Sequence, residues 1–144
     1  MKKVLVLSLF ISLALFSTGC QKKTLECSMQ TTQSGMDMVS TAIVEFSGNN
    51  VTLLSMQVDT ELTGIYVDYK DLFKSTLKSN FVQYESLEGV EVSTSDSGNI
   101  VTVKVVADIK KMDKASKTAL DLIDTTASYN QVKSSFEQQG YICK

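Results

Sequence analysis

Alternation of apolar and polar residues at every second position is the feature that most restricts how this chain folds. It is clearest between Ile100 and Ile109. Successive side chains of a β-strand point to opposite faces, so such a segment predicts a strand buried on one side only. Its apolar face would carry Val101, Val103, Val105, Ala107 and Ile109, with Thr102, Lys104 and Asp108 on the other face.

Turn-forming residues divide the rest of this pattern into antiparallel hairpins. Gly35 separates apolar stretches at 25–32 and 38–46, and Ser47-Gly48-Asn49-Asn50 precedes another at 51–62. Glycine and asparagine tolerate the positive φ of a tight reversal, so we expect three consecutive antiparallel strands. A short strand at 90–92, a polar turn at 93–99 and the strand at 100–109 predict a second hairpin.

Helical periodicity appears in three other places. Apolar residues recur at helical spacing from Asp68, which we expect to cap the first turn, to Phe81, and Gly89 would stop this helix. A second helix is predicted over 113–123, and a capping box at Ser128 predicts a third that ends at Gly140. The lysines at 70, 74 and 78 would form a solvated helix face. The predicted fold class is therefore α+β, an antiparallel sheet of hairpins packed against two or three helices.

The beginning of the chain predicts a cleaved lipoprotein signal peptide at residues 1–19. A basic start precedes an apolar run at 4–16, which is too short to cross a bilayer, where about 20 residues are needed. Ser17-Thr18-Gly19-Cys20 resembles a bacterial lipobox, in which the cysteine thiol receives diacylglycerol before cleavage. We therefore predict lipid attachment at Cys20, a tether at 20–24 and a single domain over 25–144. An ordinary signal peptide and a retained N-terminal helix are the alternatives.

This processing would hold the protein on the extracytoplasmic face of the cell membrane or envelope, with the membrane as its partner through the lipid on Cys20. Cys27 and Cys143 then remain as an even pair in an oxidising compartment, which indicates a disulfide. Such a bond would join the first strand of the domain to the last. The alternative is two separate buried thiols.

The composition excludes several kinds of chemistry. The chain has no His, and all 14 of its basic residues are lysine. Without His there is no Ser-His-Asp or Cys-His nucleophile system and no His-liganded zinc. Cleavage would leave 12 lysines against 16 acidic residues, a net charge of −4, which argues against a nucleic-acid partner. No cofactor is predicted.

Two sets of residues are candidates for chemistry. Asp121 with Asp124, and Glu85 with Glu88, are carboxylate pairs at a spacing of three, and glycoside hydrolysis needs such a pair with one carboxyl kept protonated by burial. Met36 and Met38 are close enough in sequence to bind copper(I) together, although methionine more often fills gaps in a core. The leading hypothesis is a non-enzymatic module that binds a partner or a small ligand. The alternatives are an envelope hydrolase and a metal-handling lipoprotein.

Four stretches behind the signal peptide resemble a known family. They are VEFSGNNV at 44–51, YESLEGVE at 84–91, ADIKKMD at 107–113 and FEQQGYICK at 136–144. In this order they are similar to the YehR-like family of small bacterial lipoproteins. The resemblance implies an α+β domain with an antiparallel sheet and packed helices, anchored by lipid in the envelope. The family is of unknown function, so only Cys20 is implied as a functional position.

Overall fold

The computed structural model describes residues 22–144, which form a six-stranded antiparallel sheet and three α-helices, an α+β fold as predicted. Two 3-10 turns, Gly64–Tyr69 and Val82–Tyr84, flank the first helix. The strands are β1 (Lys22–Gln33), β2 (Met36–Ser47), β3 (Asn50–Glu61), β4 (Val90–Ser97), β5 (Ile100–Asp108) and β6 (Ile142–Cys143), and the helices are α1 (Lys70–Phe81), α2 (Lys114–Ala119) and α3 (Tyr129–Gln138).

The strand order is β4-β5-β3-β2-β1-β6. Both predicted hairpin groups are confirmed, and β3 joins them by pairing with β5 along its length, from Leu53 opposite Asp108 to Glu61 opposite Ile100. The last strand returns to the edge of the first, where Cys143 is the cross-strand partner of Cys27 and the two form a disulfide. The two ends of the domain are therefore neighbours in the sheet.

The predicted alternation gives the sheet two unlike faces. On one face, which we call the covered face, two buried clusters lie beneath the helices. Tyr129 of α3 packs on Phe46 with ring centroids 5.7 Å apart, and buried Met112, just before α2, belongs to the second cluster. The buried cluster members on the strands are Leu25, Cys27, Ala42, Val44, Phe46, Val90 and Ala107.

The other face, which we call the open face, has no helix packed on it within the described part of the chain. Almost every side chain that it presents is exposed or half-buried, and Ser55 at 5% exposure is its one buried residue. One-sided burial is usual for an antiparallel sheet. The covered face is therefore the apolar surface on which the helices pack.

The helices differ in where they pack on the covered face and in how their first turns are capped. α1 packs on β4 and β5, and α3 packs on β1 and β6, so the two helices occupy opposite edges of the sheet. The predicted capping box of α3 is confirmed: Ser128 Oγ accepts from the Gln131 N–H, and the Gln131 side chain accepts from the Ser128 N–H. Asp113 caps α2 by accepting from the Ser116 N–H at 2.7 Å.

The structure corrects several predicted boundaries at the two ends of α1 and in α2. A 3-10 turn precedes α1, so its N-cap is Tyr69 rather than Asp68. α1 ends at Phe81, well before Gly89. Gly89 instead lies immediately before β4 with a φ of +78°, where a side chain would collide with Met112. α2 ends at Ala119 instead of continuing to 123.

Two other predictions are wrong because strands extend further than their apolar patterns. Lys22, Lys23 and Thr24, placed in the tether at 20–24, already belong to β1, since they pair with Ser47, Phe46 and Glu45. β4 continues through the polar segment to Ser97, so the predicted turn at 93–99 shrinks to Gly98 and Asn99. Backbone pairing with a neighbouring strand holds these polar residues in the sheet.

The lysine row of α1 is also corrected. Lys78 is exposed as predicted, but Lys70 and Lys74 both form ion pairs with Asp96 of β4. Hydrogen bonds from Lys74, and to a smaller extent from Lys70, lower the pKa of Asp96 below its usual value of 3.8. These contacts fasten the polar side of a helix that has no fully buried residue.

We predict that reduction of the Cys27–Cys143 disulfide destabilises the domain. The bond spans 116 residues of sequence, and the chain-entropy model gives a loss of about 4–5 kcal/mol for a loop of this size. Thermal unfolding should occur at a lower temperature with dithiothreitol than without it. The Cys27→Ala, Cys143→Ala double variant should be insensitive to the reductant. Alkylation of both thiols in the native protein without reductant would contradict the bond.

We predict that Asp96 holds α1 to the sheet. Because its pKa is lower in the folded state, the ion pairs stabilise the fold above the unfolded pKa and are lost as pH falls through the folded value. Asp96→Asn should increase amide hydrogen exchange in α1 at neutral pH, with little change in β5. Asp71→Asn is the control, since Asp71 is exposed on α1 outside these ion pairs. Equal effects of the two substitutions would show that the pairs do not fasten the helix.

Candidate ligand-binding cleft

A cleft opens on the covered face between α1 and the segment that follows α2. Its volume is about 290 Å³. Leu54 and Met56 of β3 form its floor together with Val105 and Ala107 of β5. Phe81 and Tyr84 line it from the end of α1 and the following 3-10 turn, and Leu120 and Leu122 line it from the segment after α2.

The floor follows from strand pairing. Leu54 is opposite Ala107, and Met56 is opposite Val105, so the four side chains form two adjacent cross-strand pairs on one face. Leu54, Met56 and Val105 are only half-buried although they lie near the middle of the sheet. The helices cover the edges of this face more fully than its centre, because α1 contacts β4 and β5 while α3 contacts β1 and β6.

The first wall forms where α1 gives way to a tighter turn. α1 ends at Phe81, and the 3-10 turn Val82–Tyr84 follows at once. The rings of Phe81 and Tyr84 lie 6.0 Å apart, which is within the range of a favourable aromatic contact. This pair presents an aromatic surface to the floor.

The second wall is tied to the sheet by backbone hydrogen bonds. The Leu122 N–H donates to the carbonyl of Lys117 at 2.7 Å, and Asp121 between the two leucines has a φ of +55°. Further along, the Val51 N–H donates to the carbonyl of Thr125 at 3.0 Å, and the Ala127 N–H donates to that of Asn49 at 2.9 Å. The β2–β3 hairpin thus holds the segment that carries the leucines.

The cleft is almost entirely apolar. Tyr84 is the one lining residue with a polar or titratable side chain. The volume is about twice that of the ~150 Å³ apolar cavity that takes up benzene in an engineered protein. The site therefore offers hydrophobic and dispersion interactions to a slim apolar group, with one phenol in reach.

The carboxylates considered for catalysis do not come together in such a site. Asp121, Asp124, Glu85 and Glu88 are all exposed. The Thr126 N–H donates to Asp124 at 2.9 Å and lowers the pKa of its carboxyl, which favours the ionised form. Neither pair contains the buried carboxyl that the hydrolase hypothesis requires, so these residues do not support it.

The four methionines of the strands, Met29, Met36, Met38 and Met56, share the covered face without forming direct cross-strand pairs. Met36 and Met38 lie opposite Gln33 and Thr31 of β1, and Met29 lies opposite Ser40. Met56 lies between Ala42 and Val105. The register thus provides no directly opposed pair of sulfurs for copper(I). Among residues 22–144, no group of three or more His, Cys, Asp or Glu side chains is arranged to hold a metal ion.

The remaining predicted sites lie elsewhere. Cys20 and the signal peptide at 1–19 lie outside the described residues, so lipid attachment stays a prediction. No helix within residues 22–144 has the length and apolarity needed to span a bilayer. Apart from these predicted sites, a second apolar groove lies at the start of α1 and is lined by Leu62, Tyr66, Tyr69 and Leu72.

The sequence patterns identified most of the cleft residues as apolar positions, but not the cleft itself. Leu54 and Met56 alternate along one strand, Val105 and Ala107 along another, and Phe81 follows a helical period. Nothing in these local patterns shows that a gap separates α1 from the segment after α2 above β3 and β5. That gap depends on where each helix docks.

Comparison with solved structures shows which known fold the chain shares. The NMR structure of the E. coli YehR protein matches with a TM-score of 0.58 at 16% identity, over 85% of this chain and 91% of that one. The NMR structure of a protein from Streptococcus pneumoniae TIGR4 matches with a TM-score of 0.58 at 12% identity, over 86% of each chain. No family model and no curated protein matches. The chain therefore has a YehR-like fold.

Proposed function

We propose that this protein is a lipid-anchored binding protein of the bacterial envelope, without catalytic activity, and that its cleft takes up a slim apolar group such as a single acyl chain. The apolar cleft between α1 and the segment after α2 is the observation that carries this proposal. Binding sites for small molecules are typically concave and mostly apolar, with few polar groups. The cleft has this character, with Tyr84 as its one polar side chain.

The position of the cleft along the sheet supports a ligand drawn from the membrane. β1 begins at Lys22, opposite Ser47, and Cys20 is two residues earlier. The cleft floor begins at Leu54, opposite Val44, which is three residues from Ser47 along β2. At about 3.3 Å per residue, the floor starts roughly 10 Å along the strands from the end where a lipid anchor would attach.

The envelope location rests on three features of the sequence and fold. The start of the chain has the basic and apolar segments of a signal peptide, ending at Gly19-Cys20. The Cys27–Cys143 disulfide fits an oxidising compartment. With β1 beginning at Lys22, little free chain separates Cys20 from the sheet, so an anchored domain would stay close to the membrane surface.

We predict that filling the cleft weakens binding of an apolar probe. N-phenyl-1-naphthylamine, an uncharged fluorophore, should show enhanced emission with the purified protein. Val105→Phe should weaken its binding about tenfold or more, because the larger ring occupies the site that the probe needs. Val106→Phe is the matched control, since Val106 is the next residue of β5, is also half-buried, and faces the open side of the sheet.

Equal loss of binding in the two variants, or no enhancement with the wild-type protein, would contradict a binding role for the cleft. Circular dichroism of both variants should show an unchanged fold.

We predict that Cys20→Ala prevents lipid attachment. The wild-type protein should fractionate with membranes at its mature size and incorporate labelled fatty acid. The variant should keep its signal peptide and lose the label, because the thiol that receives the lipid is gone. A variant that still reached the membrane fraction at mature size would show that Cys20 is not the anchor. Cys27→Ala, which leaves Gly19-Cys20 intact, should retain the label.

A further inference from the structure

The open face carries a cross-strand row in which two aliphatic residues flank a central serine and a carboxylate stands at each end. The strand register places Glu26, Ile43, Ser55, Val106 and Glu91 side by side, one from each of β1, β2, β3, β5 and β4. Adjacent strands are about 4.8 Å apart, so the two glutamates lie about 19 Å apart across the sheet. Ser55 is buried beneath its half-buried neighbours Ile43 and Val106.

The neighbouring row extends this pattern. Glu45, Leu53 and Asp108 are adjacent on β2, β3 and β5, so that another aliphatic side chain lies between two acids. Together the two rows form an aliphatic centre of Ile43, Leu53 and Val106 with an acidic rim. An apolar centre surrounded by polar residues is the usual anatomy of a protein interface.

Charge is distributed unequally between the two faces. The strand register and the alternation of side chains place seven of the 16 acidic residues on the open face. Only two lysines of the strands, Lys22 and Lys104, lie on the same face. Within the described chain, Asp108 is the only one of these seven acids in an ion pair, with Lys111 from the following loop at 3.1 Å. The seven acids are Glu26, Asp37, Glu45, Asp59, Glu61, Glu91 and Asp108.

A groove of about 450 Å³ lies on this face beside the two rows. Leu53 and Val106 provide its aliphatic surface, and Glu91, Asp108 and Lys111 provide its charged groups. Lysine and arginine side chains bury an aliphatic stem while their charged end remains solvated or paired. A partner's basic side chain can therefore lie along Leu53 and Val106 with its cation near Glu91.

We propose that the open face is the docking surface for a basic segment of a partner protein, one that alternates cationic and aliphatic side chains. Charge complementarity and the aliphatic centre carry the proposal together, since the acids attract the cations and the centre takes up the aliphatic groups. This surface is on the opposite side of the sheet from the cleft, so its occupation does not depend on the cleft's ligand.

The test uses a fluorescein-labelled peptide of alternating arginine and leucine, titrated into the purified protein by fluorescence anisotropy at low ionic strength. Glu26→Lys with Glu91→Lys reverses charge at both ends of the central row. Glu85→Lys with Glu88→Lys makes the same change in net charge at exposed positions between α1 and β4. A peptide of alternating glutamate and leucine is the control ligand.

We expect the first pair of substitutions to weaken binding of the basic peptide about tenfold or more and the second about twofold or less, because close charges act more strongly than distant ones. Amide chemical-shift changes in the wild-type protein should concentrate on β2, β3 and β5. Equal weakening by both pairs would show diffuse attraction and overturn the proposal. A dimer of the free protein that Glu26→Lys with Glu91→Lys dissociates would also overturn it, by assigning the face to a second copy.

Discussion

The rest of the structure depends on a sheet that buries only one of its faces. Strict alternation along β2, β3 and β5 puts the apolar side chains on the covered face, so every helix must dock there. The two longer helices lie at opposite edges of this face. α3 packs on β1 and β6, while α1 packs on β4 and β5, where Lys70 and Lys74 form ion pairs with Asp96. At the edge where α3 packs, the disulfide between Cys27 and Cys143 fixes the last strand to the first.

Separate docking of the helices explains why an apolar cleft exists in so small a domain. Its floor consists of ordinary core residues of β3 and β5, and its walls come from the end of α1 and from a segment bonded to the β2–β3 hairpin. The same sheet separates the cleft from the acidic open face by a single layer. The apolar cleft and the acidic surface are thus on opposite sides of the same strands, because alternate residues along each strand point to opposite faces.

Local structure was predictable from the sequence, whereas structure that depends on distant partners was not. The strand from Ile100 and the capping box at Ser128 follow from neighbouring residues, and both are present. The lysine row of α1 illustrates the failure, because Asp96, which binds Lys70 and Lys74, is more than twenty positions away in sequence. β1 likewise extends back to Lys22 because β2 supplies hydrogen-bond partners that no pattern within 22–24 reveals. The cleft depends on helix docking, so its residues were predictable as apolar but its opening was not.

Xenon binding followed by methyl NMR is a direct test of the apolar cleft, because xenon enters accessible apolar cavities without needing any polar group. Under xenon pressure, we expect methyl shift changes concentrated at the residues that line the cleft, which are Leu54, Met56, Val105, Ala107, Leu120 and Leu122. Methyl groups of Ile43 and Val106 on the open face should change little. Absent or uniformly scattered shifts would contradict an open apolar cleft between independently docked helices.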